Sequence, residues 1–158
     1  MNTKTKWLKR MVLTIIVVIL SALLILFSYV LGYEKGLMNY QASLSKLPEV
    51  ESVVRISEYN GVESYYVAEV VLINGSEQYY FIKDNVVEYH VPVEELLTGE
   101  EAASYAMANV GAGIVKHYYL GIEDETPIYE VMISSDKGEH YVIVDAKTGK
   151  LVSHFIIE

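Results

Sequence analysis

The sequence predicts an α+β protein in which a transmembrane helix precedes two copies of one unit, each a helix packed on an antiparallel sheet. Three observations lead to this fold class. They are an uncharged apolar run near the N-terminus, turn signals that separate short β-rich segments, and a pattern that occurs twice along the chain. Because the chain has no cysteine, disulfides and lipoprotein processing are excluded and the fold must rest on burial alone.

The apolar run covers residues 11–31 and contains no charge, proline or glycine. About 20 apolar residues in helical form cross the hydrocarbon core of a bilayer, so this run predicts one transmembrane helix. The residues before the run include four cations, which are Lys4, Lys6, Lys9 and Arg10. Only Glu34 and Lys35 follow closely after it. The positive-inside rule therefore predicts that residues 1–10 form a cytoplasmic tail and that the rest of the chain lies outside the cell.

A cleaved secretory signal is the alternative interpretation of this N-terminus. Such a signal has an apolar region of about 7 to 15 residues and a cleavage site of small residues. Here the run is longer, and residues 28–33 that end it contain no Ala-x-Ala site. These features favour an anchor that is not cleaved.

The part of the chain after the anchor is strongly acidic. From Glu34 onward it holds all 21 acidic residues but only eight of the 12 basic ones, a net charge of minus 13. This length suits one domain of usual size or two very small ones. Nucleic acid is excluded as a partner because its phosphates require a basic patch. Acidic residues spread along the sequence are typical of a solvated surface.

The first of the two units is predicted over residues 32–92. Apolar residues at helical spacing continue the anchor helix through residues 33–46, and Pro48 ends it. Four strands follow at residues 50–58, 63–73, 78–82 and 86–91. The turns between them are Asn60-Gly61, Asn74-Gly75 and Asp84-Asn85. Asn-Gly between two β-rich runs is a strong hairpin signal because both residues tolerate positive φ.

The second unit is predicted over residues 93–158 and repeats the first. A helix at residues 99–110 precedes four strands, which are expected at residues 114–122, 128–134, 140–144 and 151–157. Residues 66–81 match residues 129–143 at an offset of about 63 positions, which indicates internal repetition. Each unit has roughly 60 residues and would be marginal alone, so we expect the two to pack on each other.

Local motifs of the second unit have structural explanations. Thr98 and Glu101 have the spacing of a capping box at the start of the predicted helix. Gly149 suits a position with positive φ in the last hairpin, and Asp145 is expected to accept hydrogen bonds from the turn amides. A calcium site at Asp145 would need further oxygen ligands that the sequence does not place nearby.

These residues also carry a family resemblance. Residues 98–103, the Tyr-Glu-Val of residues 129–131 and the Val-Asp-Ala-Lys-Thr-Gly-Lys of residues 144–150 resemble a PepSY domain. With the anchor, the first degenerate copy and the total length, the whole chain resembles the YpmB family, also called TseB, of Gram-positive bacteria. The resemblance implies two cystatin-like PepSY modules outside the membrane and a role as a regulator of cell-wall elongation. It also implies association with a penicillin-binding transpeptidase. The chain departs from the family in residues 83–86, where the first copy lacks the Asp-x-x-Thr-Gly hairpin.

No catalytic residue, metal ligand or cofactor site is predicted. None of the serines lies in a nucleophile motif with a plausible base. No two of the four histidines, which are His90, His117, His140 and His154, have the spacing of metal ligands. Pairing Val144 with Leu151 would place His140 and His154 on opposite faces of the sheet, so we expect them not to share an ion.

The unusual feature of the second unit is an apolar side where a polar one is expected. Fourteen tyrosines occur in the chain, and the last hairpin is apolar on both sides. An antiparallel sheet with one solvated face should alternate apolar and polar residues, so something must cover the second face. The first unit or a second copy of the chain would suffice. A docking face for another protein is the other explanation, and its candidate residues are Tyr129, Tyr141, Ile143, Val152 and Ile156.

Two functions from different classes follow. The resemblance implies a non-enzymatic membrane adaptor that binds a penicillin-binding protein. PepSY domains in general suggest instead a peptidoglycan-binding module or an extracytoplasmic protease inhibitor. Self-association is left open by the sequence, as is the face that binds a partner.

Overall fold

The structure is a computed structural model that describes the backbone of residues 3–157 and the side chains of residue 7 and of residues 10–30 and 37–157. Its contacts divide the chain into two compact parts, an N-terminal body, Met1–Tyr40, and a C-terminal body, Gln41–Glu158. The side chains of five charged residues on which the predicted topology depends lie outside the described residues. They are Lys4, Lys6, Lys9, Glu34 and Lys35.

The helix α1 begins at Thr3 and ends at Leu44. It forms the N-terminal body through Tyr40, and its last four residues belong to the C-terminal body. Its segment Arg10–Val30 is long and apolar enough to cross a membrane, with a mean hydropathy of 3.0. Three of the hydroxyl side chains in this segment each donate a hydrogen bond to the carbonyl four residues earlier. These are Thr14, Ser21 and Ser28, with distances between 2.8 and 3.0 Å. These three hydroxyls therefore have partners within the helix, as hydrocarbon requires.

The C-terminal body contains two four-stranded antiparallel sheets, each with its strands in sequence order. The first sheet comprises β1 (Val50–Asn60), β2 (Ser64–Leu72), β3 (Glu77–Lys83) and β4 (Val86–Pro92). A short 3-10 turn, Val93–Glu95, leads to the helix α2 (Gly99–Val110). The second sheet comprises β5 (Ile114–Glu123), β6 (Thr126–Ser135), β7 (Gly138–Asp145) and β8 (Leu151–Ile157). The two predicted meanders and the bounds of the second helix are confirmed.

The turns of the meanders use left-handed backbone at several predicted positions. Gly75 has φ 81°, and Asp84 and Asn85 have φ 49° and 64°. The positive φ expected at Gly61 is wrong, since this glycine keeps ordinary backbone. There the absent side chain matters for another reason, because a Cβ would approach the ring of Tyr59.

The helix α2 packs on the second sheet through small residues. Ala102, Ala103 and Ala106 are buried against a face that includes Val131 and Val142. Alanine lets the helix axis approach the strands closely while its buried methyl groups still contribute to the core. This confirms the α+β class and the helix-on-sheet arrangement of the second half, whereas the first half is seen as a four-stranded meander.

The two sheets of the C-terminal body share one hydrophobic core. Val67 and Phe81 of the first sheet belong to the same buried cluster as Ile128 and Val144 of the second. The first sheet approaches the second along β5. The prediction that the two halves pack on each other is therefore confirmed.

Candidate interaction surface

The strand β8 is displaced by one residue within its pairing with β7. Val144 lies opposite Leu151, as predicted, but Ile143 lies opposite Ser153. Val152 is therefore an extra residue, a β-bulge, and every later residue of β8 faces the other side from the one predicted. Residues in register share a face, so Phe155 lies beside Tyr141 on the side away from α2.

The bulge brings two histidines together. His154 lies on the same face as His140, and the His140 Nδ1 and His154 Nε2 atoms are 2.9 Å apart. The prediction that these residues occupy opposite faces is wrong, because it assumed regular pairing. His140 is 3% exposed, and its Nε2 atom lies 2.7 Å from Ser135 Oγ. That oxygen also accepts from the Lys137 amide at 3.0 Å.

The histidine pair has a structural explanation. A hydrogen bond between two ring nitrogens requires one to carry a proton and the other a lone pair, so the two imidazoles satisfy each other. Among the residues that the structure describes, no group of three or more histidine and acidic side chains is placed to hold a metal ion. The pair therefore links β8 to β7 and, through Ser135, to the end of β6.

The five residues predicted as an interaction face are separated by the fold. Tyr129 and Ile143 are buried in the core, and the Tyr129 hydroxyl donates to the Leu97 carbonyl at 3.0 Å. A buried side chain offers no contact area to a partner, so their assignment to the surface is corrected. Tyr141 is partly exposed, whereas Val152 and Ile156 are exposed.

Sequence reasoning missed part of the exposed apolar surface. Five side chains of β8 are between 47 and 58% exposed, and we refer to them as the β8 strip: Leu151, Val152, Phe155, Ile156 and Ile157. The strand β8 is the outer strand of its sheet, with β7 as its neighbour on one side only. The available signal was the absence of any charged residue between positions 151 and 157.

The side of the second sheet away from α2 is partly covered by Tyr59 of β1. The Tyr59 hydroxyl donates to Glu123 Oε1 at 3.3 Å, and burial together with the nearby Glu123 and Glu130 raises the pKa of the phenol. Burial also raises the pKa of Glu130, and Glu123 adds to this effect while His117 opposes it. This covered area accounts for one part of the face, and Tyr141 and Phe155 lie on another.

A cleft of about 500 Å³ lies between the first sheet and the start of α2. At its wall, Arg55 Nε donates to Glu69 Oε2 at 2.7 Å and another guanidinium nitrogen of Arg55 donates to the Tyr79 hydroxyl at 3.1 Å. The exposed residues Tyr118 and Tyr119 also line it. The sequence did not indicate this cleft, because its walls come from strands far apart in the chain.

The PepSY-like motif residues have the structural roles that were predicted. Thr98 and Glu101 form a capping box, in which the Glu101 carboxylate accepts from the Thr98 amide at 2.8 Å. This hydrogen bond lowers the pKa of Glu101. In the last hairpin, Asp145 Oδ1 accepts from the amides of Lys147 and Thr148 at 3.0 and 2.7 Å, and Gly149 has φ 69°.

Comparisons with known proteins agree with this architecture. Residues 96–155 match the PepSY family, described as the peptidase propeptide and YPEB domain. The PepSY match therefore covers α2 and most of the second sheet, and an apolar helix lies near the N-terminus of the same chain. Its fold is similar to that of the YpmB protein from Bacillus subtilis, with a TM-score of 0.65 and 19% identity over 76% of this chain and 96% of that one. The chain is therefore similar to YpmB in fold, and the PepSY match lies in its second half.

A crystal structure of a candidate lipoprotein from Clostridium difficile 630 is also similar. It has a TM-score of 0.41 and 16% identity over 78% of this chain and 91% of that one. No curated protein matches the sequence.

Proposed function

We propose that this protein is a single-pass membrane adaptor without enzymatic activity that binds a penicillin-binding transpeptidase and regulates cell-wall elongation. Its N-terminus lies in the cytoplasm and its two sheets lie outside the cell. The two halves act as cystatin-like PepSY modules, a degenerate one over residues 32–92 and a complete one over residues 93–158. The YpmB-like fold and the apolar helix α1 support this proposal.

The observation that carries the proposal is the β8 strip. Large apolar side chains that are half exposed and adjacent to one another leave hydrophobic area in water, and such patches are typical of docking sites. Phe155 lies beside Tyr141, so an aromatic pair stands at the strip. Aromatic residues are enriched and charges depleted in the centres of protein interfaces. In an acidic protein, a strand of seven uncharged residues is the surface that suits a protein partner.

A second candidate function is glycan binding in the cleft between the sheets. Tyr118 and Tyr119 line this cleft and are 41 and 45% exposed, and the Arg55–Glu69 ion pair also lies at its wall. Exposed rings give flat apolar surfaces, and the ion pair gives hydrogen-bonding groups in a fixed orientation. This is the arrangement that a peptidoglycan strand would require.

One experiment tests the adaptor. Phe155→Glu introduces a charge that would be buried in any interface formed at the strip, so co-purification of the transpeptidase with the full-length protein from membranes should fall at least tenfold. Val62→Glu is the matched control, because Val62 is exposed in the turn between β1 and β2 and should tolerate the charge. Gly149→Val provides the misfolded reference, since its φ of 69° and the nearby Tyr105 ring exclude a branched side chain.

The outcomes separate the two functions. A Phe155→Glu protein that folds and still co-purifies with the transpeptidase contradicts the proposed contact. Sedimentation of the parent protein with purified cell wall, lost in Tyr118→Ala but retained in Phe155→Glu, would favour glycan binding instead. An adaptor stays in solution in that assay.

A further inference from the structure

The outer strands of the two sheets differ in how they are protected from pairing with another strand. β1 carries Glu51, Arg55 and Glu58 and has two register shifts. β4 carries Glu88 and ends at Pro92. Charges, prolines and bulges are the usual devices that prevent edge-to-edge association.

The edges β5 and β8 complete the comparison. β5 has Lys116 at its register shift, and β1 and β2 of the first sheet contact it. β8 has no charged residue and no proline, and its only bulge is at Val152, close to its start. Residues 153–157 pair with β7 without a further register shift and carry no acidic or basic side chain, and Phe155, Ile156 and Ile157 are exposed. Of the four outer strands in the described part of the chain, β8 is the one without a charge.

We propose that β8 pairs with β8 of a second copy of this chain, antiparallel and centred on His154, so that two copies form one eight-stranded sheet. In this register Ser153 of one copy lies opposite Phe155 of the other. Val152 lies opposite Ile156, and Leu151 lies opposite Ile157. The outward backbone groups of both strands then gain partners, which an isolated edge leaves to water.

The chemistry of β8 favours a second copy as the occupant. The strand spans residues 151–157, so His154 is its midpoint and antiparallel pairing about this residue leaves neither end unmatched. Of the six residues that flank His154 on each strand, four are apolar and lie opposite an apolar residue. None of the six is acidic or basic, so like charges, which would destabilise the pair, do not meet among them. The acidic charge of the chain lies elsewhere and is screened beyond about 8 Å at physiological ionic strength.

The size of the contact determines where the dimer forms. A seven-residue strand pair buries less than the roughly 800 Å² per partner of a standard interface, so the dimer should be weak in dilute solution. Anchoring both copies in one membrane raises their effective concentration without adding any contact. The dimer is therefore a property of the membrane-bound protein and must be tested there.

Edge pairing is independent of the adaptor function. It uses the outward backbone of β8, whereas docking of a partner uses side chains such as Tyr141 and Phe155 on the face of the sheet. Both contacts fit on one copy, and pairing would place the aromatic faces of two copies on one continuous sheet. The dimer is measured by cross-linking and the adaptor by co-purification, so each proposal fails separately.

The test uses disulfide cross-linking of the full-length protein in its own membrane. Because the chain has no natural cysteine, every disulfide between two copies must join introduced cysteines. Ser153→Cys and Phe155→Cys are placed on two differently tagged copies. Residues directly opposite in an antiparallel pair have Cα atoms about 4.5 to 5.5 Å apart, within the range of a disulfide. Oxidation should link the mixed pair at least fivefold more than either variant expressed alone.

The matched control is Glu88→Cys with His90→Cys on β4, two exposed positions that flank the midpoint of another outer strand. This pair should give only background dimer. Adding Ile156→Lys to the Ser153→Cys and Phe155→Cys copies should lower their cross-linking at least fivefold, because it places two charges in the strand pair. Equal cross-linking in the β4 control, or no effect of Ile156→Lys, would overturn the proposal.

Two further outcomes also overturn it. Absence of the mixed dimer, while the transpeptidase still co-purifies with the parent protein, means that the edge does not self-pair, although the adaptor stands. A disulfide between Phe155→Cys and a cysteine of another protein, without the mixed dimer, assigns the edge to a foreign strand.

Discussion

The ring of Tyr59 in the first sheet lies on Gly121 in the second, so close that a Cβ at position 121 would overlap the ring. The Tyr59 hydroxyl then reaches Glu123 Oε1 at 3.3 Å. The contact between the sheets thus depends on the absence of a side chain at one position and on the presence of a large one at another. Tyr59 is buried, so this contact belongs to the shared core.

Gly121→Ala should therefore lower the free energy of unfolding by about 1 to 3 kcal/mol, because the added methyl group forces the ring out of a packed site. Urea unfolding of the full-length protein in detergent, followed by tyrosine fluorescence, measures this change. Tyr59→Phe is the companion variant. It keeps the ring and loses one hydrogen bond, so its cost should be smaller, about 0.5 to 1.5 kcal/mol. A Gly121→Ala protein as stable as the parent would contradict the close contact between Tyr59 and Gly121.

The histidine pair leads to a second prediction. His140→Ala removes a buried ring and leaves Ser135 Oγ and His154 Nε2 without this partner, so it should cost about 2 to 4 kcal/mol in urea unfolding. His90 is exposed on β4, and His90→Ala should stay within about 0.5 kcal/mol of the parent. Equal effects of the two substitutions would show that the pair on β7 and β8 contributes nothing to stability.

A third prediction concerns pH and Glu130. Burial raises the pKa of this carboxyl above its ordinary value of 4.5, so the folded state keeps its proton at a pH where the unfolded state has lost it. The contribution of Glu130 to stability therefore falls as pH rises from the ordinary value through the raised one. Glu130→Gln removes this dependence.

Urea unfolding of both proteins at pH 4, 5.5 and 7 measures the effect, with about 1.4 kcal/mol corresponding to one pKa unit. The free energy of unfolding of Glu130→Gln should increase relative to that of the parent as pH rises. Glu125→Gln in the turn between β5 and β6 is the exposed control, and its difference from the parent should not follow this trend. An increase in the free energy of unfolding of the parent relative to that of Glu130→Gln as pH rises would contradict the raised pKa of Glu130.

The fourth prediction tests the proposed topology. Protease added to cells without their wall should digest the two sheets and leave a small fragment that contains Arg10–Val30 in the membrane, because a lipid-spanning helix is inaccessible to protease. A C-terminal epitope tag should be lost and an N-terminal one retained. Protection of the C-terminal tag in intact protoplasts would reverse the proposed arrangement.

Elements with local causes were predictable. The start of α2 follows from Thr98 and Glu101, whose hydrogen bonds lie within one turn of helix. The left-handed backbone at Gly149 follows in the same way from the Asp-x-x-Thr-Gly hairpin motif of residues 145–149. The turn at Asp124 and Glu125 was not predicted as left-handed, although both residues have positive φ, because it contains no glycine or asparagine to indicate such a turn.

The candidate surface was predicted only in part. Tyr129, Ile143 and Ile156 are all apolar strand residues in the same half of the chain, and nothing in their periodicity separates them. The structure buries the first two and exposes the third. The difference lies in position within the sheet, because residues of β6 and β7 have neighbouring strands on both sides while those of β8 have one only.

The sequence by itself determined the apolar helix, the two four-stranded meanders, the helix cap and the last turn, since each depends on interactions between residues a few positions apart. Only the tertiary structure decided that Val152 forms a bulge, and hence that His154 joins His140 and that Phe155 joins Tyr141. A strand that is apolar on both sides carries no alternation to set its register. The register is set instead by the packing of the whole sheet, and through it one extra residue determines which side chains remain at the surface.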